Sequence, residues 1–418
     1  MKTKALLAVT FGFLLQSCAS QEDPTLFLPD DALAVAIIPS TQALSKDAKD
    51  LVSRLPEARG LFELLYSVSG FDFLSPQNSK EDGIDQRRPS VIALYDDAFM
   101  AILPLSNERI AKRRLTLRLA RFGFVRDGET LRHINSRDKQ ATILVQDGVI
   151  ALCVGNTNKC ALRKAKSSEE VQQANEELAT ENKGIVVLIR PAFFQFITRF
   201  LPHDTGSLLQ NPFIEPFTYG RIGIRLDHRI VVSALFGQKG ARIEPAKPPF
   251  SNYEKVALVA HLRLPVFFKL DATQIVQKLT GLSLPTDALK DFAFRGFLVA
   301  PEGKPFRFFV TLDFRNEDSA FQASNILAPL VSQLGLQATS QGRQLLIKSQ
   351  GLVEPQNPQI SGASSIFSCL LNFRSAQATF DLPALDFASG LLSAMDLAWL
   401  DVSFDGPRLR LDAVVQIR

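Results

Sequence analysis

The sequence predicts an α+β protein built as two related halves, each an antiparallel sheet with helices on one face. Three observations predict it. One β-α-β-β block recurs four times, most clearly over residues 255–314: an apolar strand to Arg263, a helix opened by Pro265, and a hairpin turning at 301–304. The helices of two copies start alike, since Arg190-Pro191-Ala192-Phe193-Phe194 matches Arg263-Leu264-Pro265-Val266-Phe267-Phe268 with one residue inserted. Proline at a helix's first turn loses no hydrogen bond. Two connector helices also share their punctuation: Asn107-Glu108 opens one that Gly123 stops, and Asn316-Glu317 opens another that Gly335 stops. The order is unit, connector, unit, twice over, the mark of a duplicated block whose apolar face needs a neighbour.

The first unit opens with the apolar run 33–38, ended by Pro39 and followed by a helix over 40–55. A second helical run, 56–68, leads into a Pro-, Asn-, Asp- and Gly-containing loop over 75–89. Residues 90–103 read as two strands around an Asp96-Asp97 turn. After the connector come strand pairs turning at Asp127-Gly128 and Asp147-Gly148, the second being the strongest hairpin signal in the chain. Residues 157–182 predict a solvated polar helix. The second unit spans 184–236, with its hairpin turning at Asp227-His228, and the third follows a Pro- and Gly-punctuated linker. A strand pair over 337–349 and a loop over 351–362 precede the fourth unit, 366–418.

Hydrophobic residues make up 46% and charged residues 22%, a globular composition with 32 Phe against four Tyr and one Trp. That bulk predicts a Phe-filled core or, as an alternative, a Phe-lined cavity along 192–201 and 266–279 holding a lipid or amphiphile. Net charge is only +4, which argues against nucleic acid. The charge is concentrated between Asn107 and Lys139, where ten basic residues face four acidic ones. Arg109, Lys112, Arg113, Arg114, Arg118 and Arg121 are therefore the candidate contacts for an anionic partner.

No catalytic constellation is present in the sequence. His133, His203, His228 and His261 are scattered, no H-E-x-x-H, G-x-S-x-G, phosphate loop or G-x-G-x-x-G occurs, and Asp96-Asp97 reads as turn residues. No metal or other cofactor is expected, and a hydrolase with an active site assembled from distant residues is the least favoured reading. Cys153 and Cys160 are the candidate disulfide pair, because the residues between them include Gly155-Asn156 and let the chain turn back; Cys369 is left as a buried thiol.

The first 18 residues have a basic start at Lys2 and Lys4, an apolar run over 5–15 and a small residue before Cys18. The run is too short to cross a bilayer core of about 30 Å as a helix. Leu15-Gln16-Ser17-Cys18 resembles the lipobox of bacterial lipoproteins, with Gln16 standing where that family usually has a smaller residue. The resemblance implies a Cys18 that is acylated and becomes the mature N-terminus. Ala19-Ser20 then points to the outer membrane, facing the periplasm, rather than to inner-membrane retention. The mature part loosely resembles bacterial envelope proteins built from repeated β-α-β-β units. The expected plan is a signal peptide (1–17), a lipidated tether (18–25), an N-terminal half (26–237), a linker (238–252) and a C-terminal half (253–418). The function expected is non-enzymatic: binding or scaffolding toward anionic lipid, a cell-wall polymer or an envelope protein.

Overall fold

The computed structural model describes residues 22–28, 31–60, 62–63, 74, 81–127, 130–134, 136–156, 161–164, 170–171, 173–174, 184–198, 219–227, 229–237, 249, 256–263, 293–299, 307–350, 365–373, 394–405 and 408–418. The leader with Cys18, Cys160, most of the expected linker, the helix expected over 265–279 and all but the last two residues of that expected over 376–395 lie outside the described residues. The fold is mixed α+β, mostly antiparallel sheet with four α-helices among the described residues. It divides into two compact units, Met1–Asp227 with Phe236–Ile243, and His228–Leu235 with Glu244–Arg418.

The first unit comprises β1 (Ala34–Ile38), α1 (Thr41–Arg54), β2 (Ser90–Leu94), β3 (Ala98–Pro104), α2 (Glu108–Arg121), β4 (Phe124–Asp127), β5 (Thr130–His133), β6 (Ser136–Gln146), β7 (Val149–Gly155), β8 (Ile185–Ile189), α3 (Pro191–Thr198) and β9 (Gly220–Leu226). Its strands pair antiparallel in the order β9-β8-β1-β2-β3-β7-β6-β5-β4. The continuous apolar run of β1 is explained by its place: Val35 lies opposite Ala93 of β2 on one edge and Leu188 of β8 on the other. Burial of both faces removes the need for polar alternation. The β6–β7 turn places Asp147 and Gly148 at φ 49° and 76°, the left-handed pair that a type I′ hairpin requires. Val35, Ile37, Val91, Ala93, Met100, Ile102, Val149, Ala151 and Cys153 join one buried cluster, which Phe27 and Leu28 cap from the N-terminal side.

The polar stretch after β7 differs from its expected solvated helix. Residues 161–164 are not helical, while Val171 and Ala174 are helical and buried in the same cluster, with Leu162 packed against it. Val171 and Ala174 are three residues apart, so they share a helix face, and that face is buried.

The caps predicted at Asn107 and Gly123 form, and Ser40, expected only as the start of a helix, caps as well. The Ser40 hydroxyl accepts the Ala43 amide at 3.1 Å to start α1, which buries Leu44, Ala48 and Leu51. The Asn107 side chain accepts the Ile110 amide at 3.1 Å to start α2, and Gly123 closes it at φ 82°. Ala111, Leu115 and Leu119, at four-residue spacing, form its buried stripe.

The second unit comprises β10 (Arg229–Phe236), β11 (Val256–Arg263), β12 (Ala293–Val299), β13 (Arg307–Asp313), α4 (Glu317–Ser332), β14 (Leu336–Gln341), β15 (Gln344–Ser349), β16 (Ser365–Asn372), β17 (Met395–Asp405) and β18 (Arg408–Ile417). Its order is β10-β18-β17-β16-β11-β12-β13-β15-β14. The pleat sends Val310, Leu345 and Ile347 to one face, against Ala320, Ala323 and Leu327 of α4. Phe309 and Leu346 point the other way and join Val259, Leu370, Trp399 and Val414. Asn316 caps α4 by accepting the Ser319 amide at 2.7 Å, and Gly335 ends the connector at φ 70°.

The start of α2 depends on Gly83. Its carbonyl accepts the Ser106 and Asn107 amides at 2.9 and 3.0 Å, its φ is 76°, and a Cβ there would lie 2.4 Å from the Asn107 carbonyl oxygen. Gly83→Ala is expected to lower stability by at least about 2 kcal/mol, read as a fall in the urea midpoint. Gly60→Ala, in a helical residue with nothing within 4 Å of the added methyl, serves as the reference that leaves the midpoint unchanged or slightly raised.

Candidate site on the basic connector helix

Ala111, Leu115 and Leu119 face the fold, so the charges of α2 are confined to the rest of its circumference. The six candidate cations divide into two groups. Lys112 pairs with Glu108 at 2.8 Å within the helix, and Arg114 approaches Glu81 at 3.8 Å, both in exposed pairs that add little stability. Arg118 pairs with Asp82, whose side chain is 8% exposed while that of Arg118 is 25% exposed. Arg118 therefore ties the helix to the preceding loop, a structural role that differs from the partner contact expected of it. Arg109, Arg113 and Arg121 are exposed and make no ion pair among the described residues.

Arg109, Arg113, Leu117 and Arg121 succeed one another at four-residue spacing, forming one ridge along the outward face. Leu117 is 52% exposed, and Ile110, two helical turns before it on the same face, is 41% exposed. This apolar content was not legible as a site feature, because the helix reads as charged nearly all round. The other connector, α4, has Glu317 and Asp318 in its first turn and no basic residue in its last.

The beginning of α2 sits at a defined end of the first unit. The Leu105 amide donates to the Gly148 carbonyl at 2.9 Å, and the Glu22 amide donates to the neighbouring Asp147 carbonyl at 3.3 Å. Lys164 bridges the same place, reaching Glu22 at 2.5 Å and Asp147 at 3.5 Å. The Glu22 hydrogen bond raises the Lys164 ammonium pKa above its usual range.

A separate cleft of about 260 Å³ is lined by Asp31, Leu33, Tyr95, Asp96, Ala192, Gln195 and Phe196. Tyr95 is buried with its hydroxyl 3.8 Å from the Met100 Sδ, and burial, reinforced by the Asp31 charge, pushes its pKa up. Asp96 and Asp97 occupy the β2–β3 turn, where Asp97 accepts from the Asn156 amide group at 3.0 Å. No group of metal-ligating side chains occurs among the described residues. Ser365 and Ser368 both donate to Asp401, at 2.7 and 2.6 Å, but are 3% and 0% exposed and closed to substrate. His261 is buried in β11, and His133 stacks edge-on against Phe124; His203 and His228 lie outside the described residues.

Cys153 is fully buried and disulfide-bonded, with its partner outside the described residues. Cys369 is a free thiol whose pKa burial raises. No described helix is long and apolar enough to cross a membrane. Comparison of the chain with protein-family models, curated proteins and solved structures gave no match.

The division between structural and free cations has a direct consequence. Arg118→Ala is expected to cost about 1–3 kcal/mol by stranding the buried Asp82 carboxylate, whereas Arg109→Ala, Arg113→Ala and Arg121→Ala should each stay within about 0.5 kcal/mol of the parent. Chemical denaturation of the four single variants checks this ranking.

Proposed function

We propose that the chain is a bacterial lipoprotein held on the outer membrane through Cys18, facing the periplasm, whose folded part binds or scaffolds another envelope component without catalysing a reaction. The observation that carries the reading is the junction of a short apolar leader with Leu15-Gln16-Ser17-Cys18. The contact surface is the exposed ridge with Arg109, Arg113 and Arg121, whose charge suits anionic lipid, a cell-wall polymer or an acidic envelope protein. The lipid-carrier alternative draws less support, since the cleft beside α3 holds the carboxylates of Asp31 and Asp96 as well as Phe196.

The chain is read as duplicated halves, 26–237 and 253–418 with a linker over 238–252; these halves differ from the compact units in that nearly all of β10 belongs to the second unit. In support, the series β8-β1-β2-β3-β7-β6 and the series β16-β11-β12-β13-β15-β14 place successive chain segments in the same order. In this alignment β4 and β5 are an addition to the first half. The reading also assigns Cys160 as the partner of Cys153: Cys369 is free, Leu162 packs against the cluster containing Cys153, and Cys18 is committed to its acyl thioether.

Cys18→Ser is expected to abolish acylation and to leave the leader uncut, read as accumulation of the full-length precursor without an acyl chain. Retention of the variant on membranes through salt washing, with normal processing, overturns the anchor. Peptide mapping without reductant should link Cys153 to Cys160; a link to Cys18 would exclude both the pairing and the acylation.

A further inference from the structure

Building on the anchored reading above, we propose that the outward ridge of α2 is a membrane-apposed face, seated on an anionic phospholipid surface beside the protein's own anchor. Charge is the first ground. Arg109, Arg113 and Arg121 are exposed without an ion pair among the described residues, and guanidinium groups are well matched to phosphate oxygens. The second ground is the apolar content of the same face. Ile110 and Leu117 stand among these arginines with 41% and 52% of their surfaces in water. A soluble polyanion would engage the arginines and gain nothing from the two apolar side chains, whereas a bilayer takes both, the cations at the headgroups and the apolar groups just below.

The third ground is position. Cys18 precedes Glu22 by four residues, a span of at most about 14 Å when fully extended. Glu22 is hydrogen-bonded to Asp147, and Leu105, two residues before the Asn107 cap, is bonded to Gly148. An acylated Cys18 therefore keeps the first turns of α2 within reach of the headgroups. A contact too weak to hold a free protein then forms readily, because the tether raises its effective concentration.

Leu117→Trp supplies the test, since the chain's one tryptophan, Trp399, is 5% exposed and serves as an internal reference. The substitution is placed in the mature chain without its lipidated cysteine, residues 19–418, so that neither an acyl chain nor the apolar leader contributes to binding. With phosphatidylglycerol-containing vesicles whose acyl chains are brominated, the new indole should be quenched and blue-shifted at low salt, while the Trp399 signal is unaffected. With phosphatidylcholine alone, or at about 0.5 M salt, where the screening length is only a few ångströms, the quenching should disappear. Adding Arg109→Gln, Arg113→Gln and Arg121→Gln should weaken vesicle binding about fivefold per arginine, on the order of 100-fold together. Circular dichroism of each variant confirms that the fold is retained. An indole left unquenched on anionic vesicles, or quenched equally on neutral ones, overturns the membrane-apposed face and leaves the anchor reading standing. Normal processing of Cys18→Ser together with its retention on salt-washed membranes overturns that anchor reading separately.

Discussion

Each unit is governed by the need of one apolar strand for backbone partners on both edges. β1 and β11 are inner strands paired on both edges, so their amide and carbonyl groups are satisfied by neighbouring strands. One partner, β2 or β12, lies next in the sheet-forming order. The other is β8 or β16, far along the chain, so each unit closes only when a distant segment returns to the first strand. Arg190 reinforces that closure, its backbone amide donating to the Leu33 carbonyl at 3.0 Å and its guanidinium to the Ala32 carbonyl at 3.3 Å. The intervening chain is then free to carry the connector helix and the outer hairpins.

What the sequence made legible is mostly local chemistry. Asn107, Gly123, Asn316 and Gly335 mark helix ends because a side-chain acceptor and a left-handed residue are needed there whatever the tertiary context. The Asp147-Gly148 turn was equally readable. Long-range pairing was not, because nothing in the composition of Ala34–Ile38 says that β8 rather than another apolar strand will lie beside it. The burial of Val171 and Ala174 escaped notice for the opposite reason: two small apolar residues in a charged segment leave almost no periodic signal.

The candidate site was legible as a run of charge but not as a surface. Spacing alone could not separate Arg118, which is drawn to Asp82 across the loop, from Arg113, which is left outside. That separation needs the loop's path, and the path is fixed by Gly83, whose left-handed backbone lets its carbonyl receive the Ser106 and Asn107 amides. The loop read as irregular therefore decides which cations are structural and which are available.

The two connector helices sharpen that distinction. Leu117 and Ile326 each stand ten positions beyond their capping asparagines, and both are exposed, at 52% and 39%. If the halves descend from one block, an outward apolar residue at this position is a shared inheritance and says little by itself. The arginines around Leu117 have no counterpart in α4, whose first turn is acidic. The fold forms both helices with asparagine caps and one buried face each, and α4 does so without arginines at the positions of Arg109, Arg113 or Arg121. Three like charges at four- and eight-residue spacing repel one another slightly in the isolated helix. Their presence on one connector alone is what an anionic surface outside the fold would account for, and the same charges turn an ordinary exposed leucine into part of an amphipathic face.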